Sequence, residues 1–234
     1  MENNYNSFYH LQIAKCGGTY LNNMIIHNIF NILQKNKIKY IDGEYHLGWQ
    51  EEQNIYTLSC FRDPVERTVS HYAYYKNGGQ DRDIPANISS FIPWVKQNEE
   101  LLSNYQVKNF LYTKVNIALN PFNPTSGMDP DFLLIKIDKK LAFERIKKTK
   151  ILLKNSQLNE EICVNVMQKI INDFNIPEKA FISNKIYDHN VTTESKNILN
   201  NLNKKEKQYL YELNYLDSEI YFSDNLFFNQ GNIK

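Results

Sequence analysis

The sequence predicts an α/β fold of three layers, with a central parallel sheet flanked by helices on both faces. Strand-like and helix-like runs alternate from Ser7 to Lys76, which is the pattern of parallel strands joined by helical crossovers. The run Ile55–Phe61 (IYTLSCF) is almost continuously apolar, as a strand covered on both faces must be. The length, 234 residues at 42% hydrophobic content, fits one such unit, and a single domain over residues 1–234 is expected.

The elements follow in order. Ser7 to Ile13 is an aromatic and β-branched strand that stops at Ala14-Lys15-Cys16-Gly17-Gly18-Thr19. A helix begins there, because Leu21, Met24, Ile25, Ile29, Ile32 and Leu33 recur at spacings of three and four. Lys39 to Ile41 suggests a short second strand, and Asp42 to Asn54 a polar loop containing His46. Ile55–Phe61 ends at Arg62-Asp63-Pro64, where Asp63 suits an N-cap, Pro64 the first helical position and Glu66 a capping box. That helix should reach about Lys76 and stop at Gly78-Gly79. Ser90 to Val115 reads as helix with a break near Asn104, and Ala118 to Pro130 as a loop rich in Pro, Gly and Asn. Asp131 to Lys148 is either strand then helix or one helix, and periodicity does not separate the two. Ile151 to Lys154 suggests a strand, Asn159 to Phe174 a helix, and Lys204 to Phe228 one or two helices rich in Tyr, Leu and Phe.

Composition excludes several function classes. With 27 basic and 26 acidic residues the formal charge is +1, which suits neither a nucleic-acid-coating protein nor an acidic solvating one. No apolar run approaches 18 residues and no charged-then-apolar leader opens the chain, so neither a membrane span nor a secretory signal is expected. Cys16, Cys60 and Cys163 are scattered and form no CxxC or Cys/His cluster, so neither a disulfide framework nor a metal is expected and a cytoplasmic setting is the default. Only four residues are arginine: Arg62, Arg67, Arg82 and Arg145. In so lysine-rich a chain each marks a place where a planar, two-pronged donor is needed.

Two strand ends hold the residues suited to chemistry. Gly17 and Gly18 let backbone N–H groups turn towards a ligand, Thr19 opens a helix with a partially positive N-terminus, and Lys15 adds a full charge. Together they form an anion cradle. The lysine precedes the glycines, unlike the Walker A order, so this is not an ordinary ATP or GTP loop. Arg62 ends the neighbouring strand. Asp63, Arg67, Ser70 and Tyr74 follow at steps that place them on one helix face, and Arg67 is expected to brace the helix through an acid such as Asp63. Arg62 paired with Ser70 would hold a second anion, and two such sites fit a nucleotide phosphorylated at both its 5′ and 3′ positions.

These residues bring a resemblance. Gln12-Ile13-Ala14-Lys15-Cys16-Gly17-Gly18-Thr19 resembles the HIPKTGGT signature of sulfotransferases related to carbohydrate 2-O- and chondroitin-type enzymes. Phe61-Arg62-Asp63-Pro64-Val65-Glu66-Arg67 through Ser70-His71-Tyr72 is similar to that family's second signature, (L/F)RDPVxRxxSxY. The resemblance implies a P-loop-like fold and, as co-substrate, 3′-phosphoadenosine 5′-phosphosulfate. It assigns Lys15, Cys16, Gly17, Gly18 and Thr19 to the loop around the 5′-phosphosulfate, and Arg62 and Ser70 to the 3′-phosphate. Asn104–Leu111 resembles an NxQxRxL segment with Lys108 where arginine is usual, and Leu202 to Phe228 the family's C-terminal helices. By the same analogy, Asp188 to Thr193 would close over the nucleotide. Gln12, Ala14 and Cys16 depart from the His, Pro and Thr of the signature; the charge and the hydroxyl of Thr19 are kept.

Sulfuryl transfer needs a base for the acceptor hydroxyl and a cation for the leaving oxygen. Lys15 suits the second role. For the first, His46 in Gly43–Gly48 resembles the histidine segment of the 2-O-type enzymes, with Glu44 as the other candidate. The expected acceptor is a carbohydrate hydroxyl. Two alternatives stand beside this reading: a P-loop-related nucleotide kinase, and a catalytically silent nucleotide- or glycan-binding protein. Other features have plainer readings. His10 and His71 are expected to be structural and the basic run Lys136–Lys150 a solvated helix face. The cluster Tyr72, Tyr74, Tyr75, Phe91 and Trp94 is read chiefly as core, and Cys16 as either redox-sensitive or an inert buried thiol.

Overall fold

The structure is a computed structural model that describes residues 5–42, 48–51, 54–77, 90–113, 132, 134–182 and 192–228. Among them, four strands form one parallel sheet: β1 (Ser7–Leu11), β2 (Lys39–Asp42), β3 (Ile55–Phe61) and β4 (Ile151–Lys154), in the order β2-β1-β3-β4. Phe8 lies level with Tyr40 on one side and Tyr56 on the other, and its ring stacks at 6.0 Å and 6.1 Å from theirs. This aromatic row fixes the register of three strands through side-chain packing.

Alternate residues of each strand feed two separate cores, as a sheet covered on both faces requires. Phe8, Tyr56, Leu58, Cys60, Ile151 and Leu153 pack with the first helical segment and a later helix, while Tyr9, Leu11, Phe61 and Leu152 pack with the remaining helices. The expected three-layer α/β arrangement is therefore present. The first helical segment runs as α1 (Gly18–Leu21), a π-helical turn (Asn22–Ile26) and α2 (His27–Lys35). The widened turn rotates the buried face, so Ile26 is buried alongside Met24 and Ile25, and Ile32 is only half-buried. Regular 3.6-residue spacing does not anticipate that shift.

The second core holds α3 (Pro64–Lys76), α4 (Phe91–Gln97), α5 (Glu99–Leu102), α6 (Tyr105–Leu111) and α7 (Lys139–Lys148). Asn104 breaks the Ser90–Val115 region as expected, adopting the left-handed conformation and accepting a hydrogen bond from Leu216 N (2.8 Å). A second break at Asn98 was not legible. Over 131–148 neither reading fits the described residues: Leu134 to Asp138 is irregular, neither strand nor helix, and α7 begins only at Lys139, where Asp138 caps it. After β4, α8 (Glu160–Asp173) returns to the first core, capped by Asn159. Three more helices complete the second: α9 (Thr193–Asn201), α10 (Lys204–Leu213) and α11 (Tyr215–Tyr221). No described helix is long and apolar enough to cross a membrane.

The topology locates a site. From β1 the chain crosses to β2 on one side, whereas β3 and β4 lie on the other, so the direction of winding reverses between β1 and β3. In open parallel sheets the crevice beyond such a reversal, at the carboxyl ends of the strands, is where ligands bind. The two strand ends concerned are those leading into Lys15–Thr19 and Arg62.

Candidate active site

The loop after β1 is shaped by two left-handed residues, Lys15 (φ 67°) and Gly17 (φ 99°). At Gly17 the conformation favours glycine, and a Cβ there would also stand 2.6 Å from Asn155 Nδ2. Asn155 follows β4, so a third strand end closes against the loop, a contact no sequence signal announced. Cys16 points inward, 1% exposed, and its thiol is pushed up to about 12 by burial, against the lowering effect of Arg67 and Arg62. It is the inert alternative of the two readings.

The two strand ends are tied together by side chains. Arg62 Nη1 donates to Lys15 O (3.3 Å) and Arg67 Nε to Ala14 O (3.3 Å), so consecutive carbonyls of the first loop are held from the second tip. Gln106, wholly buried on α6, clamps the Arg62 backbone from both sides. Its Oε1 accepts from Arg62 N (2.9 Å) and its Nε2 donates to Arg62 O (2.9 Å), while Cys16 Sγ donates to the same Oε1 (3.1 Å). Asp217 of α11, also wholly buried, accepts from Gln106 N (3.0 Å) and Val107 N (2.8 Å). Gln106 falls at the glutamine of the NxQxRxL resemblance, which gave it no role, and Asp217 was missed. The signal for Asp217 was a single carboxylate at the core phase of an apolar helix, between Leu213 and Ile220.

The helix after Arg62 differs from expectation in two respects. Asp63 caps it as foreseen, its Oδ1 accepting from Val65 N and Glu66 N and its Oδ2 from the Tyr211 hydroxyl (2.8 Å). Glu66, however, pairs with Arg62 Nε (3.3 Å) instead of closing a capping box. Arg67 shares a side of the helix with Ser70 and Tyr74 but is buried where they are not, and it does not brace through an acid. It is 1% exposed, its guanidinium lies 3.5 Å over the Tyr105 ring, and Nη2 sits 2.6 Å from His71 Nδ1. The outward stripe of α3 runs through Glu66, Ser70 and Tyr74, four residues apart, with Arg62 at its foot. Lys15 lies along that stripe: its carbonyl is held by Arg62, and its Nζ rests 3.1 Å above the Tyr74 ring. Lys15, Arg62 and the Ser70 stripe are thus brought to one place, with Gly17, Gly18 and exposed Thr19 opening α1 beside them.

A family model of the sulfotransferase family matches residues 2–223. The chain belongs to that family. No curated protein matches it. For a sulfotransferase, the placement of the remaining candidates is mixed. Glu44 and His46 lie outside the described residues, as do Asp188–Val191. Of the described residues on either side, Asp42 pairs with His10 in the sheet, and Gly48 O accepts from the Tyr9 hydroxyl. Lys108 is buried and turned away from the loop, donating to Glu100 O and Ser103 Oγ, and burial lowers its pKa. His10 and His71 are buried and hydrogen-bonded, to Asn22 and to Arg67 and Tyr75 respectively. In the basic run, Arg145 is buried against Glu51 and the carbonyls of Phe110 and Leu111, while the lysines are exposed. Among the described residues no group of three or more His, Cys, Asp or Glu side chains is arranged to hold a metal ion.

Proposed function

We propose that this sulfotransferase moves a sulfuryl group from 3′-phosphoadenosine 5′-phosphosulfate to a carbohydrate hydroxyl. The observation that carries the reading is the joining of two cationic strand ends, Lys15–Thr19 and Arg62, at the reversal point of the sheet. The amides of Gly17–Thr19 and the helix N-terminus receive the 5′-phosphosulfate, the Cys16 N–H being held by Ile13 O (3.1 Å). Arg62 and Ser70 receive the 3′-phosphate, the dianion displacing exposed Glu66 from a long contact that costs little to break. Family membership favours sulfuryl over phosphoryl transfer, and the carbohydrate acceptor rests on the resemblance of both signatures to carbohydrate-type enzymes.

In the step itself the acceptor oxygen forms a bond to sulfur as the bond from sulfur to the bridging phosphate oxygen breaks. The Lys15 ammonium neutralises charge growing on that oxygen. His46, or failing it Glu44, takes the hydroxyl proton. The positive field comes from Lys15, Arg62 and the helix N-terminus, and the scheme uses no metal. Three free, buried cysteines are in keeping with a reducing, cytoplasmic setting. The test is transfer from radiolabelled donor to a panel of sugars, glycans, lipids and phenols. Wild-type protein should label a carbohydrate, and Lys15→Ala should lower the rate about 100- to 1000-fold while keeping the fold. Labelling of phenols or lipids alone would replace the acceptor class, and an active Lys15→Ala variant would remove the role of the lysine.

A further inference from the structure

We infer that Tyr74 is a positioning residue that holds the Lys15 ammonium ready over the loop, an inference that rests on the leaving-group role given to Lys15 above. Tyr74 stands apart from the other aromatics around it. Tyr72, Tyr75, Phe91 and Trp94 are buried in the second core, whereas Tyr74 is 38% exposed on the outward stripe of α3, one turn beyond Ser70. Its ring face is occupied by Lys15 Nζ, 3.1 Å from the centroid. Behind it the ring packs at 6.0 Å against Tyr75, whose hydroxyl meets His71 Nε2 (3.0 Å), and His71 Nδ1 meets Arg67, which holds Ala14 O. The surface that receives the amine and the backbone that carries it are therefore fixed to each other through α3.

The chemistry of the contact suits the task. A lysine side chain has four rotatable bonds and roams widely when exposed, so an amine that must meet one oxygen gains from being held beforehand. A carboxylate would hold it too, but it would neutralise the charge and repel an incoming phosphosulfate. The negative face of a phenol ring attracts the ammonium without a formal counter-charge, and leaves its N–H groups able to turn to an anion. The left-handed backbone at Lys15 aims the side chain towards α3 from the same loop whose amides form the cradle.

Two measurements test this. In the ligand-free full chain, reductive methylation of Lys15, followed by peptide mass spectrometry, should be about three-fold or more faster in Tyr74→Leu than in wild type, with Tyr74→Phe unchanged. Equal rates in all three proteins would overturn the inference. In turnover, Tyr74→Leu should lower kcat roughly 5- to 10-fold with donor KM little changed, and Tyr74→Phe should restore it. An unchanged kcat in the leucine variant, or a loss in the phenylalanine variant as well, would contradict it. Protection of wild-type Lys15 by 3′-phosphoadenosine 5′-phosphate tests the donor reading separately. Its absence would count against that reading while the ligand-free rates still decide the Tyr74 contact.

Discussion

Ala14, Lys15 and Cys16 are each tied to a different side chain, of α3, the second strand tip and α6 respectively, and Gln106 touches both tips at once. Gln106→Leu would leave the Arg62 N–H and C=O without partners in a part-buried setting. The expected cost is about 2–4 kcal/mol, a fall in Tm of roughly 5–15 °C by thermal unfolding. Cys16→Ser keeps a donor to the same oxygen and should change Tm much less; an unaltered Tm for the leucine variant would show the clamp to be unimportant. At this scale the turn at Gly17 and the placing of Lys15 and Arg62 at strand ends were legible, because charge and glycine at a strand end carry their meaning locally. Gln106 was not, since its partners lie 44 and 90 positions away. Arg67 was legible as a place for a guanidinium, but its use of a carbonyl, a histidine and an aromatic ring depends on what folds around it.

Between elements, Asp217 is the joint by which α11 holds the start of α6. Burial raises its pKa from 3.8 to about 6, against the opposing pull of the Gln106 and Val107 amides and of Arg67. The folded protein therefore holds this proton more tightly than the unfolded chain. Stability from this group is greatest below pH 4, falls as pH rises through about 6, and then levels. Measured by denaturant unfolding, wild type should lose on the order of 3 kcal/mol across that window relative to Asp217→Asn, which does not titrate. Parallel pH curves for the two proteins would contradict the assignment. Elements with strong punctuation were readable in advance: β3 and α3 from Asp63-Pro64, α8 from Asn159, the break at Asn104. The π-helical turn and α9 were not, because neither carries a local signal distinct from a regular helix or a polar loop.

For the whole molecule, the family match reaches from residue 2 to residue 223, well beyond the stretch 7 to 76 in which the signatures are plain. The later chain serves the same site through long-range contacts: β4 brings Asn155 against Gly17, and α10 and α11 supply Tyr211 to Asp63 and Asp217 to α6. Such contacts have no counterpart in periodicity or composition, which is why the C-terminal half read as indistinct. The reversal of winding between β1 and β3 likewise appears only once the strand order is known, yet it is what sets the two strand ends side by side. Calorimetric titration with 3′-phosphoadenosine 5′-phosphate and with AMP tests that union most directly. The doubly phosphorylated compound should bind at least about 100-fold more tightly, through Arg62 and Ser70. Equal affinities would mean that the two strand ends do not share a ligand.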